Sequence, residues 1–148
     1  MTTRRQVIAL PALATLGAPA FAQSDTVKVG VILPITGQQA STGRQIDAAI
    51  KLFMAQNPGK VAGKKIEVIV KDDAGSPDTT RRLAQELVVN DKVAVIAGFG
   101  LTPCALAAAP IATQSKTPLI VMAAGTSSIT EASPFVTRTS VTLPQVAV

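Results

Sequence analysis

The stretch from Val93 to Pro110 constrains the fold more than any other part of the chain. It begins with a continuous apolar run, Val93 to Ala97, which is typical of a strand covered on both faces in a parallel sheet. Gly98 and Gly100 then allow the backbone to turn sharply and to approach another molecule closely. A buried strand that leads into a glycine turn places the next residues at one edge of a sheet.

A helix start follows the two glycines. Thr102 supplies a hydroxyl suited to the N-cap position, and Pro103 suits the first helical position because its missing N–H would have no partner there. The alanine-rich sequence that follows favours a helix to about Lys116. The positive end of this helix attracts anions, so we predict that this point is half of a small-molecule binding site.

Strand and helix patterns alternate from residue 26 onwards. The predicted strands cover 26–33, 66–70, 93–97, 119–122 and 134–139, and the predicted helices cover 44–57, 77–90 and 103–116. Ser76 is the predicted N-cap of the second helix. Ser128 and Glu131 match a capping box for a further short helix, and Thr142 would begin another. The alternation predicts an α/β fold, a parallel sheet with helices on both faces.

The loops at the carboxyl ends of the strands are the expected ligand-binding region, because ligands of such sheets bind there at the point where strand order reverses. Three of these loops are rich in Gly, Ser and Thr: 34–43, 98–103 and 123–128. Asp72 and Asp73 follow the second strand instead. We interpret them as the strand end that leads into the helix turn, rather than as a metal or phosphoacceptor site.

The hydroxyl-bearing residues of these loops are the candidate ligand contacts. Hydroxyls and helix N-termini can hold a carboxylate without a buried arginine. We predict that Thr102 and Thr126 contact the ligand directly. The backbone of Ala124 and of the pair Ser41 and Thr42 is predicted to lie beside them. The ligand is expected to be a small molecule, and no cofactor is expected.

The residue types that are missing argue against several other functions. The chain has no histidine, which excludes Cys-His and Ser-His catalysis and ordinary histidine metal sites within it. Cys104 is the single cysteine and is expected to be a small buried residue rather than a nucleophile. The chain has no Tyr or Trp, so it lacks a stacking surface for bases, and no nucleic-acid partner is expected.

Two nucleotide-binding motifs also fail. In the dinucleotide fingerprint a third glycine is needed where Pro103 stands, and the motif belongs after the first strand rather than the third. The Gly-x-x-x-x-Gly-Lys-Ser/Thr run of a P-loop is missing from the sequence. Since no acid–base pair is visible either, the chain is not expected to be an enzyme.

Residues 1–22 are predicted to be a signal peptide that is removed from the mature chain. Arg4 and Arg5 precede an apolar stretch, Val7 to Ala20, that is shorter than the roughly 20 apolar residues of a membrane-spanning helix. The last three leader residues, Ala-Phe-Ala, fit a cleavage site before Gln23. The arginine pair resembles a twin-arginine export signal, with a Sec leader as the alternative. The predicted location is the periplasm.

Four groups of residues together form a recognisable pattern: Val27 to Gly37 with Ala40 and Gly43, then Asp72-Asp73, then Ala97-Gly98, then Met122 to Thr126. They resemble the periplasmic solute-binding proteins of branched-chain amino acid ABC transporters, the leucine-binding, type I class. The resemblance implies a lobe that holds the α-carboxylate and α-amino groups of an amino acid. Thr102, Ala124 and Thr126 stand at the matching positions, and the partner would be an ABC transporter permease in the inner membrane.

Two positions depart from the family pattern. Thr42 stands where leucine-binding members often have an aromatic residue, and Gln38 stands where many have proline. Aromatic carboxylates and other small acids therefore remain open as ligands beside branched-chain amino acids.

The length of the family implies that this sequence is incomplete. The family's full chain is more than twice as long, so 23–148 is expected to be a partial N-terminal lobe without the second lobe, as a fragment, a truncated gene or a split protein. An isolated half-site is expected to bind weakly, because closure of two lobes buries most of the ligand.

Three functional hypotheses follow. The leading one is a binding protein that captures a small amino acid or carboxylate for an ABC importer. The second is the ligand-sensing lobe of an amide- or amino-acid-responsive regulator, which shares the fold but would not need an export leader. An enzyme, the third, would need a base or a metal site.

Overall fold

The computed structural model of the chain describes residues 26–57 and 61–147. The predicted signal peptide, and Pro58 and Gly59 just after the first helix, lie outside these ranges. Within the ranges, none of the helices combines the length and the apolar character needed to cross a membrane.

Strands and helices alternate in the predicted order. The strands are β1 (Thr26–Leu33), β2 (Lys65–Asp72), β3 (Val95–Gly98), β4 (Leu119–Val121) and β5 (Val136–Arg138). The α-helices are α1 (Ala40–Gln56), α2 (Pro77–Val89), α3 (Thr102–Ser115) and α4 (Leu143–Val146), and a 3-10 helix spans Ser127–Glu131. The types of element agree with the prediction, while several boundaries differ.

The sheet is parallel throughout, with the strand order β2-β1-β3-β4-β5. Val29 of β1 is aligned with Val68 of β2 on one side and with Val95 of β3 on the other. Since the chain adds β2 on one side of β1 and β3 on the other, the strand order reverses at β1. The loops after β1 and β3 flank this switch point, where ligands bind in open parallel sheets.

Different helices cover the two faces of the sheet. Ile32 of β1 packs into a core that α2 and α3 complete. Val31 and Leu33 point to the opposite face, because successive strand residues alternate, and Ile46 and Ile50 of α1 pack against them there. The prediction of helices on both faces is confirmed.

The start of α1 is earlier than the predicted start at residue 44. The helix begins at Ala40, and its N-cap, Gln39, makes no side-chain capping bond. Gly43 in the first turn lies against the chain leaving β1, where a Cβ would be 2.2 Å from the carbonyl oxygen of Pro34. Glutamine is not a preferred N-cap residue, so residue 39 gives no local signal for a helix start. The loop after β1 is therefore 34–39.

Of the hydroxyl N-caps predicted for α2 and α3, only that of α2 is correct. Ser76 caps α2, and its Oγ accepts a hydrogen bond from the N–H of Thr79 (3.4 Å). The N-cap of α3 is Leu101 rather than Thr102, so Thr102 is the first residue of the helix and Pro103 the second. The hydroxyl of Thr102 is hydrogen-bonded elsewhere, as described below.

The predicted capping box after β4 does not form. The segment is a 3-10 helix that starts at Ser127 without a side-chain cap. The buried Ile129 donates its N–H to the carbonyl of Thr126 (3.3 Å), three residues back, which is the 3-10 pattern. A capping box does form at α4, between Thr142 and Gln145.

The end of β3 meets β1 at a contact that requires glycine. Gly98 has a φ of +116°, and a Cβ there would lie 2.1 Å from the carbonyl oxygen of Ile32. A Cβ on Gly100 would lie 2.7 Å from Cγ of Pro34. Both glycines thus allow a close approach within the chain. The expectation that they also bring the backbone close to another molecule stays a prediction.

Replacing Gly98 with alanine should therefore be costly. We expect Gly98→Ala to lower the free energy of unfolding by about 2–4 kcal/mol, since the added Cβ clashes with backbone and the φ is unfavourable for alanine. Gly63→Ala is the matched control, because Gly63 has a φ of +80° and no atom within 4 Å of the added Cβ. It should cost only about 1 kcal/mol. Urea unfolding of both variants measures this, and equal losses would contradict the steric argument.

Candidate functional site

Two threonine hydroxyls meet at the carboxyl edge of the sheet. Thr102 begins α3 and Thr126 lies in the loop after β4, and their Oγ1 atoms are 2.7 Å apart. Either hydroxyl can be the donor in this bond. The hydroxyl that accepts this bond still has its own proton to donate, so the pair can donate one hydrogen bond to a ligand.

The loop that holds Thr126 has its carbonyl oxygens occupied by protein donors. Arg138 of β5 donates through Nη1 to the carbonyl of Ala124 (2.5 Å) and through Nη2 to the carbonyl of Thr126. The N–H of Leu143 donates to the carbonyl of Gly125 (2.9 Å). Within residues 26–57 and 61–147, the N–H groups of Gly125 and Thr126 have no acceptor. The loop therefore presents donors rather than acceptors.

The N-terminus of α3 adds donors beside this loop. No side chain caps the helix, so the N–H groups of Thr102 and Cys104 in the first turn have no acceptor within it. The positive end of the helix dipole lies at the same point. Hydroxyls, free N–H groups and a helix N-terminus together suit a carboxylate or another small anion.

Ala124 lies next to the threonine pair, but its backbone is already engaged. Its N–H donates to the carbonyl of Phe99 (3.1 Å), and its carbonyl accepts from Arg138. The residue is only 3% exposed. The second lone pair of the Ala124 carbonyl is the group that could still accept a hydrogen bond from a ligand.

Ser41 and Thr42 lie in the first turn of α1, not in a loop. This turn follows β1 and so lies at the carboxyl edge, but on the sheet face opposite to α3. The hydroxyl of Ser41 accepts from the side-chain amide of Gln45 (3.4 Å). The hydrogen bonds of the described ranges do not join Ser41 or Thr42 to the threonine pair.

The carboxylate of Asp72 fixes the loop after β1. Its Oδ1 accepts from the N–H groups of Ile35 (2.9 Å), Thr36 (3.3 Å) and Ala74 (2.9 Å), and its Oδ2 accepts from the Thr36 hydroxyl (2.6 Å). Burial alone would raise the pKa of Asp72. The hydrogen bonds from the Thr36 hydroxyl and from the three N–H groups outweigh this effect and lower the pKa.

The second aspartate, Asp73, is fully buried at the start of α2. Its carboxylate accepts from the N–H of Gly75 (2.9 Å) and from the hydroxyl of Thr80 (2.7 Å). Asp72 thus ends β2, and Asp73 just after it organises the turn into α2, so the interpretation of the pair as a strand end that leads into the helix turn agrees with the structure. Cys104 is 1% exposed, and burial raises the pKa of its thiol. Its prediction as a buried residue is confirmed.

Two cavities lie at opposite edges of the sheet. One of about 320 Å³ lies at the carboxyl edge and is lined by Gly37, Gln38, Gln39, Ala74, Gly75 and Leu101. A larger one of about 550 Å³ lies at the amino edge, lined by residues that include Lys28, Lys64 and Asp91. The smaller cavity borders the N-cap of α3, whereas the larger one is remote from the threonine pair.

In the described ranges no group of His, Cys, Asp or Glu could hold a metal ion.

A family model described as a periplasmic binding protein matches residues 26–147. The chain belongs to the periplasmic binding protein family. The resemblance inferred from the sequence is thereby confirmed, and so is the α/β fold with its parallel sheet. The family consists of binding proteins.

Individual relatives of this periplasmic binding protein are considerably longer. The Leu/Ile/Val-binding protein homolog 6 of Brucella abortus (strain 2308) is 45% identical over 137 residues, which are 91% of this chain and 35% of the relative. The chain therefore spans about a third of the length of this relative.

Two solved structures are likewise matched over about a third of their length. A solute binding protein of an ABC transporter from Rhodopseudomonas palustris BisB5, in complex with 3,4-dihydroxybenzoic acid, is 70% identical with a TM-score of 0.81. The match covers 82% of this chain and 34% of that protein. A solute binding protein of an ABC transporter from Rhodopseudomonas palustris HaA2, in complex with p-hydroxybenzoic acid, is 43% identical with a TM-score of 0.74, over 79% of this chain and 32% of that protein.

Sequence reasoning missed two residues that organise the loops of this periplasmic binding protein. Asp72 was recognised only as a strand end, although it also holds the loop after β1. Arg138 was not singled out, although it holds the loop after β4. The available signal for Arg138 was a cation that follows three β-prone residues, Phe-Val-Thr, inside a short predicted strand.

The lowered pKa of Asp72 predicts a pH-dependent contribution to stability. A lowered pKa in the folded state means that the carboxylate stabilises the fold above its ordinary pKa, and that this contribution is lost as pH falls through the folded-state pKa. We expect Asp72→Asn to be less stable than the unaltered chain at about pH 7, with the difference shrinking towards about pH 3.

Urea unfolding at a series of pH values measures this difference. Glu131→Gln is the control, because Glu131 is an exposed carboxylate of the 3-10 helix with no hydrogen-bond partner in the described ranges. It should leave the pH dependence unchanged. A difference between Asp72→Asn and the unaltered chain that stays constant with pH would contradict the role of the carboxylate.

Proposed function

We propose that this chain is the carboxylate-binding lobe of the solute-binding protein of an ABC importer, and that its ligand is a hydroxylated aromatic carboxylate. The observation that supports the lobe's role most directly is the 2.7 Å contact between the hydroxyls of Thr102 and Thr126. This contact lies between the uncapped start of α3 and a loop whose carbonyl oxygens are already bonded. A carboxylate is the group that such a cluster of donors would hold.

The choice of an aromatic ligand rests on similarity. The protein that shares 70% identity with this chain was solved with 3,4-dihydroxybenzoic acid, and one that shares 43% identity was solved with p-hydroxybenzoic acid. At 70% identity, most side chains around the threonine pair are expected to be shared.

A branched-chain amino acid is the second candidate ligand. The relative from Brucella abortus is named as a Leu/Ile/Val-binding protein homolog and is 45% identical. Both kinds of ligand would place a carboxylate at the threonine pair. They differ in the α-ammonium group, for which the remaining lone pair of the Ala124 carbonyl is an available acceptor.

The proposed setting is the periplasm. Residues 1–22 would direct export and be removed before Gln23, through the twin-arginine route or through Sec. A second lobe, corresponding to the remaining two thirds of the relatives, would complete the ligand site. The ligand-loaded protein would then deliver its cargo to a permease in the inner membrane.

A chimaera tests the proposed ligand and site. Residues 26–147 would replace the matching segment of the protein from Rhodopseudomonas palustris BisB5, which supplies a second lobe. Calorimetry with 4-hydroxybenzoate, 3,4-dihydroxybenzoate and L-isoleucine then separates the two ligand classes. Tighter binding of the benzoates is expected, and binding of isoleucine alone would overturn the aromatic assignment.

Thr126→Ala in this chimaera should lower the affinity for the preferred carboxylate by roughly 1–3 kcal/mol, because one charge-assisted hydrogen bond is lost. Thr126→Ser keeps the hydroxyl and should retain most of the affinity. Thr130→Ala is a control in the exposed 3-10 helix and should have no effect. Unchanged affinity in Thr126→Ala would remove Thr126 from the ligand site.

A further inference from the structure

Arg138 lies at the end of β5 in a position that is unusual for an arginine. It is half-buried, and no ion pair within the described ranges involves it. Both terminal nitrogens of its guanidinium group donate to backbone carbonyl oxygens instead, those of Ala124 and Thr126. The planar fork of the side chain is thus used to hold one loop at two points.

These two bonds also fix the direction of the N–H groups in the loop. A trans peptide unit is planar, so the C=O of one residue and the N–H of the next point in opposite directions. Because Arg138 holds the carbonyls of Ala124 and Thr126 on its own side, the N–H groups of Gly125 and Ser127 point away from it. By the same geometry, the bond from the N–H of Leu143 to the carbonyl of Gly125 directs the N–H of Thr126 away from Leu143.

We infer that Arg138 is a positioning residue that sets the donor geometry of the ligand site by holding the loop of residues 124–126. This inference rests on the proposed function, because it takes that loop as part of the carboxylate site. The side chain acts through the loop and does not need to touch the ligand. A lysine would not replace it, since an ammonium group is a point charge without a two-pronged donor geometry.

Nuclear magnetic resonance on the full 148-residue chain tests this role, because it detects weak binding at individual amides. The probe is 4-hydroxybenzoate, and the measured quantity is the initial slope of the amide shifts of Gly125 and Thr126 against its concentration. In Arg138→Met and Arg138→Lys we expect this slope to fall by about tenfold, the loss typical of one misplaced hydrogen-bonding group. Arg82→Met is the matched control, because Arg82 is an exposed arginine of α2, and it should change the slope less than twofold.

Hydrogen exchange separates positioning from general stability. The N–H of Ala124 ties the loop to the carbonyl of Phe99 and the N–H of Leu143 bonds to the carbonyl of Gly125, whereas the N–H groups of β1 and β3 report on the sheet. Loss of Arg138 should speed exchange at Ala124 and Leu143 and leave the sheet protected. In Arg138→Ala, added guanidinium ion at a non-denaturing concentration should restore both the protection and the response to 4-hydroxybenzoate, and it should not restore the response in Thr126→Ala.

The outcomes are distinguishable. A slope within twofold of the unaltered chain, a uniform loss of protection across the sheet, or no rescue by guanidinium would each overturn the positioning role. If the unaltered chain gives no response to 4-hydroxybenzoate at Gly125 and Thr126, the proposed aromatic ligand fails instead. The protection of Ala124 and Leu143, with its rescue by guanidinium, then still decides whether Arg138 holds the loop.

Discussion

The contact between Gly98 and Ile32 determines how the whole carboxyl edge of the sheet is arranged. With no side chain, Gly98 lets β3 end directly against the carbonyl of Ile32. The next residue, Phe99, is fully buried with a φ of +68°, a conformation that few non-glycine residues adopt. Its N–H donates to the carbonyl of Ile32 (2.9 Å) and its carbonyl accepts from the N–H of Ala124 (3.1 Å). One residue therefore joins the ends of β1 and β3 to the loop after β4.

At this edge the protein satisfies N–H groups in one loop and carbonyl groups in another. In the loop after β1, the N–H groups of Ile35 and Thr36 are satisfied by the protein's own carboxylate, that of Asp72. In the loop after β4 the carbonyls are the satisfied groups, through Arg138 and the N–H of Leu143. The free N–H groups of that loop lie beside the start of α3, and a carboxylate from outside the chain is the group that complements them. The proposed ligand site thus has free N–H groups because Arg138 bonds to the carbonyls of that loop, while the Asp72 carboxylate bonds to N–H groups of a different loop.

Much of the fold could be predicted because its signals are local. Continuous apolar runs such as Val93 to Ala97 indicated buried strands, and Ser76 with Pro77 marked a helix start that the structure contains. The alternation of strand and helix then implied a parallel sheet, since parallel strands need helical crossovers. Boundaries were predicted less well. α1 begins at Ala40, ahead of the hydroxyl residues Ser41 and Thr42, and its N-cap, Gln39, makes no side-chain capping bond.

The sequence by itself determined the class of fold, and it predicted the edge of the sheet where a ligand would bind and the threonines suited to bind it. The tertiary structure alone decided which of these residues meet. Thr102 and Thr126 are brought together because their strands lie side by side, whereas Ser41 and Thr42 are carried by α1 to the other face. The role of Arg138 could not be predicted from the sequence either. It depends on backbone carbonyl groups, which every residue has, and only the folded chain brings two of them within hydrogen-bonding distance of the guanidinium group.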